Sequence, residues 1–543
     1  MSKTRNPVGW GYVEDALSDA EIKRARDLMG GFFPMDQATL RPAPRPDSVA
    51  LPAPRCAIPA ALADLCTASH DERLLHAAGR SYRDVVALRA NQVRTAPDMV
   101  AYPRTRADVA RVLEVAAQHR LAVIPFGGGS SVTGGVNPEV PSGYDGVLTL
   151  DLAQLSRVLE VDATSRIVHA EGGIFGPDLD AVLRPHGLTV RHYPQSYYHS
   201  TLGGWVATRG AGHYSTLLNK IEDRVQSVEL VSPSGLDYSV RPLPASSIAI
   251  DPNRLAAGSE GMLGVITSVR LRVQAVPRYR ADGSADFETF AQALEAARAL
   301  VQAGLWPAQL RALDPFEAMV SALTSGGRPP QGALLIVGFE SQEPETLEAA
   351  KAATRIVESL GGRMGRWKYS DSTQDKAAAG DEAVGAWRNT FFRQPYLRDT
   401  LSDWGVIADT FETAIPWSRV HAFYEAVRGG TLAALEQVCG AGGVLCRMTH
   451  CYPDGAALYF SFYGLGRHGQ LIDQWWTIRE LSARVVLEQG GTLSHHHSMG
   501  RDHARWADAE LPAGYRSAVA GAKRALDPRG IMNPGMWWGD ALR

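Results

Sequence analysis

Directly after the apolar stretch 121–124 the chain reads PFGGGSSVTGGV (125–136), a short run with five glycines and three hydroxyl side chains. Glycine tolerates positive φ and lets a ligand approach the main chain, so consecutive amides here can turn together into an anion-binding concavity. A diphosphate is the natural guest. Taken alone, the run also reads as a tight turn with no ligand. It is not GxGxxG at the head of a helix, so the ordinary dinucleotide fold is not indicated.

At 543 residues the chain exceeds one hydrophobic core, and a prior of roughly 150 residues per domain predicts three or four units. Hydrophobic residues make up 45% and charged residues 21%, ordinary for a globular chain, which excludes global disorder. With 55 basic and 58 acidic residues the net charge is −3, and no basic run tracks a phosphate backbone, so no nucleic-acid partner is expected. The five cysteines, without paired metal-ligand spacing, read as reduced thiols, and a cytoplasmic location is expected. No apolar segment follows the amino-terminal residues, so no signal peptide is expected, and no stretch approaches the ~20 apolar residues of a membrane span.

Proline recurs from 41 to 59 and predicts an extended arm, flanked by helices at 18–28 and 72–87. The spacing of Val109, Val112, Leu113 and Ala116 predicts a helix over 106–119, followed by a short buried strand at 121–124. Strands are expected at 147–152, 157–161, 167–171, 226–231 and 265–273, with a helix over 177–185. Beyond 276 the texture changes to long amphipathic helices alternating with strands. A hairpin is predicted over 444–463, turning at Tyr452 to Gly455. On its second strand Leu458, Phe460 and Phe462 share one face, while Tyr459, Ser461 and Tyr463 take the other.

Four glycine-marked blocks occur in order: 125–135, PQSYYHSTLGGWVATRGAG from 194, GSEGMLGVIT from 258, and LDPRGIMNPG from 526. In these blocks the sequence resembles the vanillyl-alcohol oxidase and p-cresol methylhydroxylase superfamily of flavoproteins. The resemblance implies an α+β protein: a helical N-terminal region with the proline-rich arm (1–89), an FAD-binding domain (90–275), an α/β cap or substrate domain (276–485), and a segment 486–543 returning to the FAD domain. It places Pro125, Phe126, Gly127, Gly128, Gly129, Ser130, Ser131 and Thr133 of the first block against FAD. From the second block it places Pro194, Gln195, Ser196, Ser200, Thr201, Gly204, Ala207, Thr208, Arg209 and Gly210 there. Glu260, Gly261, Gly264, Val265, Ile266 and Asn533 complete the set. The first loop carries neither the histidine nor the cysteine that tethers the flavin in some relatives, so non-covalent FAD is expected.

Within that superfamily the chain resembles the alkyldihydroxyacetonephosphate synthases, also called alkylglycerone-phosphate synthases. The markers are GWGY at 9–12, STLGGWVATR at 200–209, NKIED at 219–223, FETAIPWSRV at 411–420, CRMT at 446–449, LRD at 397–399, LYFSF at 458–462 and SHHH at 494–497. The resemblance makes Tyr459 the acid/base, with His495, His496 and His497 beside it, and makes Arg398, Arg311 and Arg447 substrate-binding. Arginine suits a phosphate or carboxylate bidentately, although each of the three also reads as a structural cation paired with an acid. A nearby cation or histidine is expected to lower Tyr459 from its ordinary pKa of ~10. Successive strand residues alternate in direction, which argues against a metal on the histidine triplet, and none is expected.

The implied reaction exchanges the acyl group of acyl-dihydroxyacetone phosphate for a long-chain alcohol at flavin N5, with no net redox change, as in ether lipid synthesis. The alternative is an FAD-dependent oxidase or dehydrogenase of a hydroxy acid, alcohol or phenol. A lipid substrate implies peripheral contact with a membrane surface; a homodimer is also expected. Where the synthases continue the triplet with glycine, valine, glycine and lysine, this chain has Ser498, Met499, Gly500 and Arg501. Ser498 and Arg501 are therefore expected to alter selectivity.

Overall fold

The computed structural model describes residues 3–218, 220–325, 330–372 and 382–537; Asn219 of the NKIED marker lies outside the described residues. The glycine run leaves the end of the strand Leu121–Phe126, which runs parallel to Gly146–Asp151. Met99–Ala101 continues the parallel set, and Cys66–Thr67 adds an antiparallel edge. The helix Arg106–Gln118 starts on a capping box between Thr105 and Asp108 and buries Val109, Val112, Leu113 and Ala116 against this sheet, as their spacing predicts. The valines and the leucine each contribute on the order of 1.5–3 kcal/mol, and Ala116 one methyl group's worth, about 0.8 kcal/mol. The outer edge of Leu121–Phe126 takes up a distant segment: Val123 N–H donates to Ile531 O and Asn533 N–H to Val123 O, both at 2.8 Å.

A second, antiparallel sheet follows the order Val158–Asp162, Ile167–Glu171, Val265–Arg272, Val225–Val231, Tyr238–Ser239. The cap is built on a larger antiparallel sheet, in the order Arg363–Met364, Tyr279–Phe287, Ala333–Ser341, Gln309–Leu313, Gly442–Cys451, Gly455–Leu465, Val406–Pro416. Its apolar face packs on the helices Phe290–Gln302, Thr346–Ser359, Val420–Cys439 and Leu471–Glu488, with Leu458, Phe460 and Phe462 inside that core. The opposite face carries Tyr459 toward the flavin domain.

The expected helix over 72–87 is two helices, His70–Leu75 and Tyr82–Arg89. The break serves the glycine loop. Arg80 N–H donates to Ser131 O at 2.6 Å, and a Cβ on Gly79 would stand 2.7 Å from that same carbonyl, so the chain turns there to reach the loop.

Candidate active site

The first glycine block has the properties a phosphate cradle needs. The main-chain N–H groups of residues 127–132 donate to no acceptor among the described residues. A Cβ on Gly127 would stand 2.3 Å from Thr201 Oγ1, and one on Gly128 1.8 Å from His199 O, so only glycine allows the two blocks to close on each other. Gly129 has φ +70° and sits against the Phe126 ring. The residues therefore fit FAD: a row of free donors at the end of a strand, beside the helix Leu202–Thr208. Pro125, Phe126, Gly127, Ser131, Thr201, Gly204, Ala207, Thr208, Glu260, Gly261, Gly264 and Ile266 line one continuous cleft, together with Val136, Leu152 and Gly203. Gly128, Gly129 and Ser130 line a smaller cavity on the other side of the loop. Val265 instead packs in the core with Val231 and Met532, and Arg209 turns to Glu222 at 2.9 Å.

Glu260 and Asn533 tie the cleft together. Asn533 Nδ2 donates to Glu260 O at 2.8 Å and to Gly135 O at 3.0 Å. The Glu260 carboxylate accepts from Met499 N–H at 3.1 Å and Gly500 N–H at 3.0 Å. Burial pushes its carboxyl up to about 7 against those donors. Thr133 Oγ1 donates to His497 O at 3.2 Å, so the glycine loop and the histidine triplet touch directly.

Above the cleft, three strands place Glu412, Tyr459 and Arg447 in one row: Glu412 is opposite Tyr459, and Tyr459 opposite Arg447. The hairpin pattern predicts that Arg447 and Tyr459 lie on neighbouring strands; a regular hairpin would set Arg447 opposite Phe460, and the irregularity between Met448 and His450 brings Tyr459 opposite it instead. Tyr459 Oη donates to Thr410 Oγ1 at 2.8 Å, and the Arg447 guanidinium lies 4.2 Å from the centre of its ring. Burial nevertheless raises the Tyr459 pKa, with Arg447 opposing it. The expected lowering is thus overturned, because a fully buried phenolate loses more hydration than one cation over the ring returns.

Glu412 organises the histidines. Its carboxylate accepts from the N–H groups of His495, of His496 at 2.9 Å and of His497 at 2.7 Å, and from Ser494 Oγ at 2.9 Å. Burial opposes its ionisation, yet the neighbouring histidines and these donors hold its carboxyl well below the usual range. The imidazoles behave in the opposite sense: burial pushes His495 and His496 down to about 3 and His497 to about 4, so all three are neutral near pH 7. His495 Nδ1 and His496 Nδ1 lie within hydrogen-bond reach at 3.0 Å, and Tyr452 Oη lies 2.6 Å from His495 Nε2. The Tyr459 ring stacks on His496 at 6.2 Å between centres and meets His497 edge-on at 5.6 Å. His450, buried beside His495 at 4.8 Å between ring centres, completes the group. His450, Tyr452 and Glu412 are functional neighbours that the sequence reading leaves out. Glu412 is the one acid of the quoted FETAIPWSRV marker, and its strand also carries Asp409, so the signal available in the sequence is weak.

The three arginines separate. Arg447 is buried and paired with Glu317 at 2.6 Å. Arg311 donates to His213 O at 2.8 Å; burial and the nearby Arg447 push it down to about 9, and its charge in turn lowers His450 and His496. Arg398 is held on the helix Glu382–Asp403 by Asp399 at 3.1 Å and by Arg80 O at 2.8 Å. Arg501 donates to Asn137 O at 3.1 Å and to Asn533 Oδ1 at 2.9 Å, beside the Asn533 that ties the cleft together. Ser498 has φ +72°, the left-handed region where a glycine is unstrained. A cavity of about 410 Å³ joins Glu260 to His495, with walls from Leu493, Met499, Trp506, Leu511 and Trp537.

Comparison with known proteins bears on the fold and the cofactor. Residues 97–237 match the FAD binding domain family, and residues 276–537 the C-terminal domain of FAD linked oxidases. The chain is 28% identical to the alkyldihydroxyacetonephosphate synthase of Trypanosoma brucei brucei over 485 residues, covering 85% of this chain and 76% of that one. It is 28% identical to the synthase of Dictyostelium discoideum over 473 residues, with the same coverage. A solved alkyldihydroxyacetonephosphate synthase structure superposes with a TM-score of 0.79 at 23% identity, over 97% of this chain and 98% of that one, which shows a shared fold. With the cofactor cradle, the cap and the histidine-bearing segment all in place, the chain is an alkyldihydroxyacetonephosphate synthase-like, FAD-dependent flavoprotein enzyme.

Proposed function

We propose that this enzyme exchanges the acyl group of acyl-dihydroxyacetone phosphate for a long-chain alcohol, forming an ether bond without net oxidation. FAD, held by residues 127–131 and the adjoining cleft, supplies the nucleophilic nitrogen for such an exchange. The observation that carries the reading is the proton-handling set built over that cleft: Tyr459 stacked on neutral His496 and edge-on to neutral His497, all on the frame of Glu412. Tyr459 Oη holds or moves the proton that the alcohol gives up, and the Tyr452–His495–His496 chain passes it onward. Keeping the imidazoles uncharged lets them both accept and donate near neutral pH.

Arg311 and Arg447 give the site positive charge for a phosphate, and Arg398 serves the same ligand from the cap helix. The cavity beside His495 has a mixed lining, with Leu493, Met499, Trp506, Leu511 and Trp537 available to an apolar chain and Arg209, Lys220, Glu260 and Glu510 at its polar side. Among the described residues no helix is long and apolar enough to cross a membrane. A long-chain substrate is taken from a bilayer surface by peripheral contact, and the enzyme acts in the cytoplasm as a homodimer. The match to the C-terminal domain of FAD linked oxidases favours a second reading, oxidation of a hydroxy acid or alcohol by hydride transfer.

One experiment separates the two. Purified enzyme with acyl-dihydroxyacetone phosphate and hexadecanol is expected to give the alkyl ether and free fatty acid, with the flavin oxidised at the end of the reaction. Anaerobic bleaching by a 2-hydroxy acid, with no ether product, sinks the exchange reaction.

A further inference from the structure

The GWGY marker at 9–12 finds no use in the chemistry above, yet it occupies a junction. Arg5 crosses the glycine loop: its guanidinium donates to Gly128 O at 2.9 Å, lies 5.6 Å from the Phe126 ring centre and stands 3.7 Å from the buried Asp151 carboxylate. With Tyr12, His199 and residues 128–130 it encloses a small cavity against the loop. Trp10 and Tyr12 pack on His199 of the second cofactor block, at 5.7 and 4.8 Å between ring centres.

The same segment grips the helix that carries Arg398. Trp10 N–H donates to the Asp399 carboxylate, whose other oxygen receives Arg398. Gly11, at φ +63°, passes so close to this helix that a Cβ would stand 2.1 Å from Tyr396 Oη; on Gly9 it would stand 2.9 Å from Asp399 Oδ2. Arg80 closes the circuit. Its N–H donates to Ser131 O at 2.6 Å and its carbonyl accepts from Arg398 at 2.8 Å. Its buried guanidinium is spent on Gly9 O at 2.7 Å and Asn6 O at 2.9 Å. One residue thus contacts the cofactor loop, the cap arginine and the N-terminal segment.

We propose that residues 5–12 are part of the active site: they clasp the diphosphate loop and the Arg398 helix into one frame, with Arg5, Arg80 and Asp399 as positioning residues. The half of this concerning Arg398 rests on the reading of that residue as a phosphate ligand. Two consequences follow. FAD is held more tightly when the clasp is closed, and the substrate phosphate is met by an arginine whose place depends on the same contacts.

Arg5→Ala removes the contact with the loop, and Gly11→Val forces the segment off Tyr396 while leaving every charge in place. For both, FAD titration of apoprotein, followed by flavin fluorescence, is expected to show roughly tenfold weaker binding, the scale of one lost charge-assisted hydrogen bond. Arg5→Lys is expected to recover part of the loss. Circular dichroism melts of the apoproteins read folding separately. In Gly11→Val reconstituted at saturating FAD, KM for acyl-dihydroxyacetone phosphate is expected to rise several-fold with little change in kcat. FAD affinity within twofold of the unaltered protein in Arg5→Ala overturns the clasp. Should Arg398→Ala leave KM unchanged, the phosphate reading falls by itself, and the FAD titration still decides the clasp.

Discussion

Residues 127–132 and residues 495–497 both present successive backbone N–H groups, but they differ in what answers them. The first set finds no acceptor among the described residues and is shaped by glycines that let neighbouring chains close in. The second is filled by the chain itself, through the Glu412 carboxylate. One cradle is kept for a ligand's negative charge; the other uses an internal charge to fix three side chains. An open cradle costs the fold its unmet donors until an anion arrives, whereas a filled one costs the desolvation of a carboxylate and returns rigidity.

The sharpest way to break the contrast is to close the open cradle. In Gly128→Ala the added methyl meets His199 O, and the protein is expected to purify colourless, with FAD affinity down by roughly a hundredfold or more, read from the flavin-to-protein absorbance ratio. On the catalytic side, Tyr459→Phe is expected to keep FAD and lose turnover by roughly two to four powers of ten. Near-normal turnover removes Tyr459 from the chemistry.

Emptying the filled cradle of its charge gives a smaller, differently shaped effect. Glu412→Gln leaves the cofactor cleft whole, so FAD is expected to stay, while kcat falls on the order of tenfold to a hundredfold and stability drops by about 3 kcal/mol in denaturant unfolding. Loss of FAD instead shows that the two cradles are one unit. Acid sharpens the comparison further. His495, His496 and His497 have folded-state pKa values of about 3 to 4, below the ordinary value of 6.5, so unfolded chains bind more protons in that interval. Stability is full above about 6.5 and is lost as pH falls toward 3, by at most about 1.4 kcal/mol per pH unit for each histidine, and melting curves from pH 7 to 4 read the slope. The smallest change is Ser498→Gly, which relieves a left-handed serine and is expected to raise stability by about 1 kcal/mol.

Sequence and structure agree most where the signal is local. The helix expected over 106–119 and found at 106–118 follows from its one apolar face, the strand expected at 121–124 and found at 121–126 from its short apolar run, and Leu458, Phe460 and Phe462 separate from Tyr459 by strand alternation. The cofactor blocks are legible for a related reason: glycine marks where the main chain is approached closely. Glu412 and His450 are not legible in that way. Their role depends on a register set by strands that meet only in the fold, and neither residue belongs to a spaced set of like residues that would mark it. The break at Gly79 is equally silent, since its cause, the Ser131 carbonyl, belongs to another part of the chain.

Asn533 reaches Gly135 across 398 residues, and its neighbours complete the edge of the strand that bears the glycine loop. A nascent polypeptide leaving the ribosome therefore exposes that unfinished edge throughout translation of the cap. The yellow cofactor has its complete berth only after residue 533 emerges, which makes cofactor capture a late event in biogenesis.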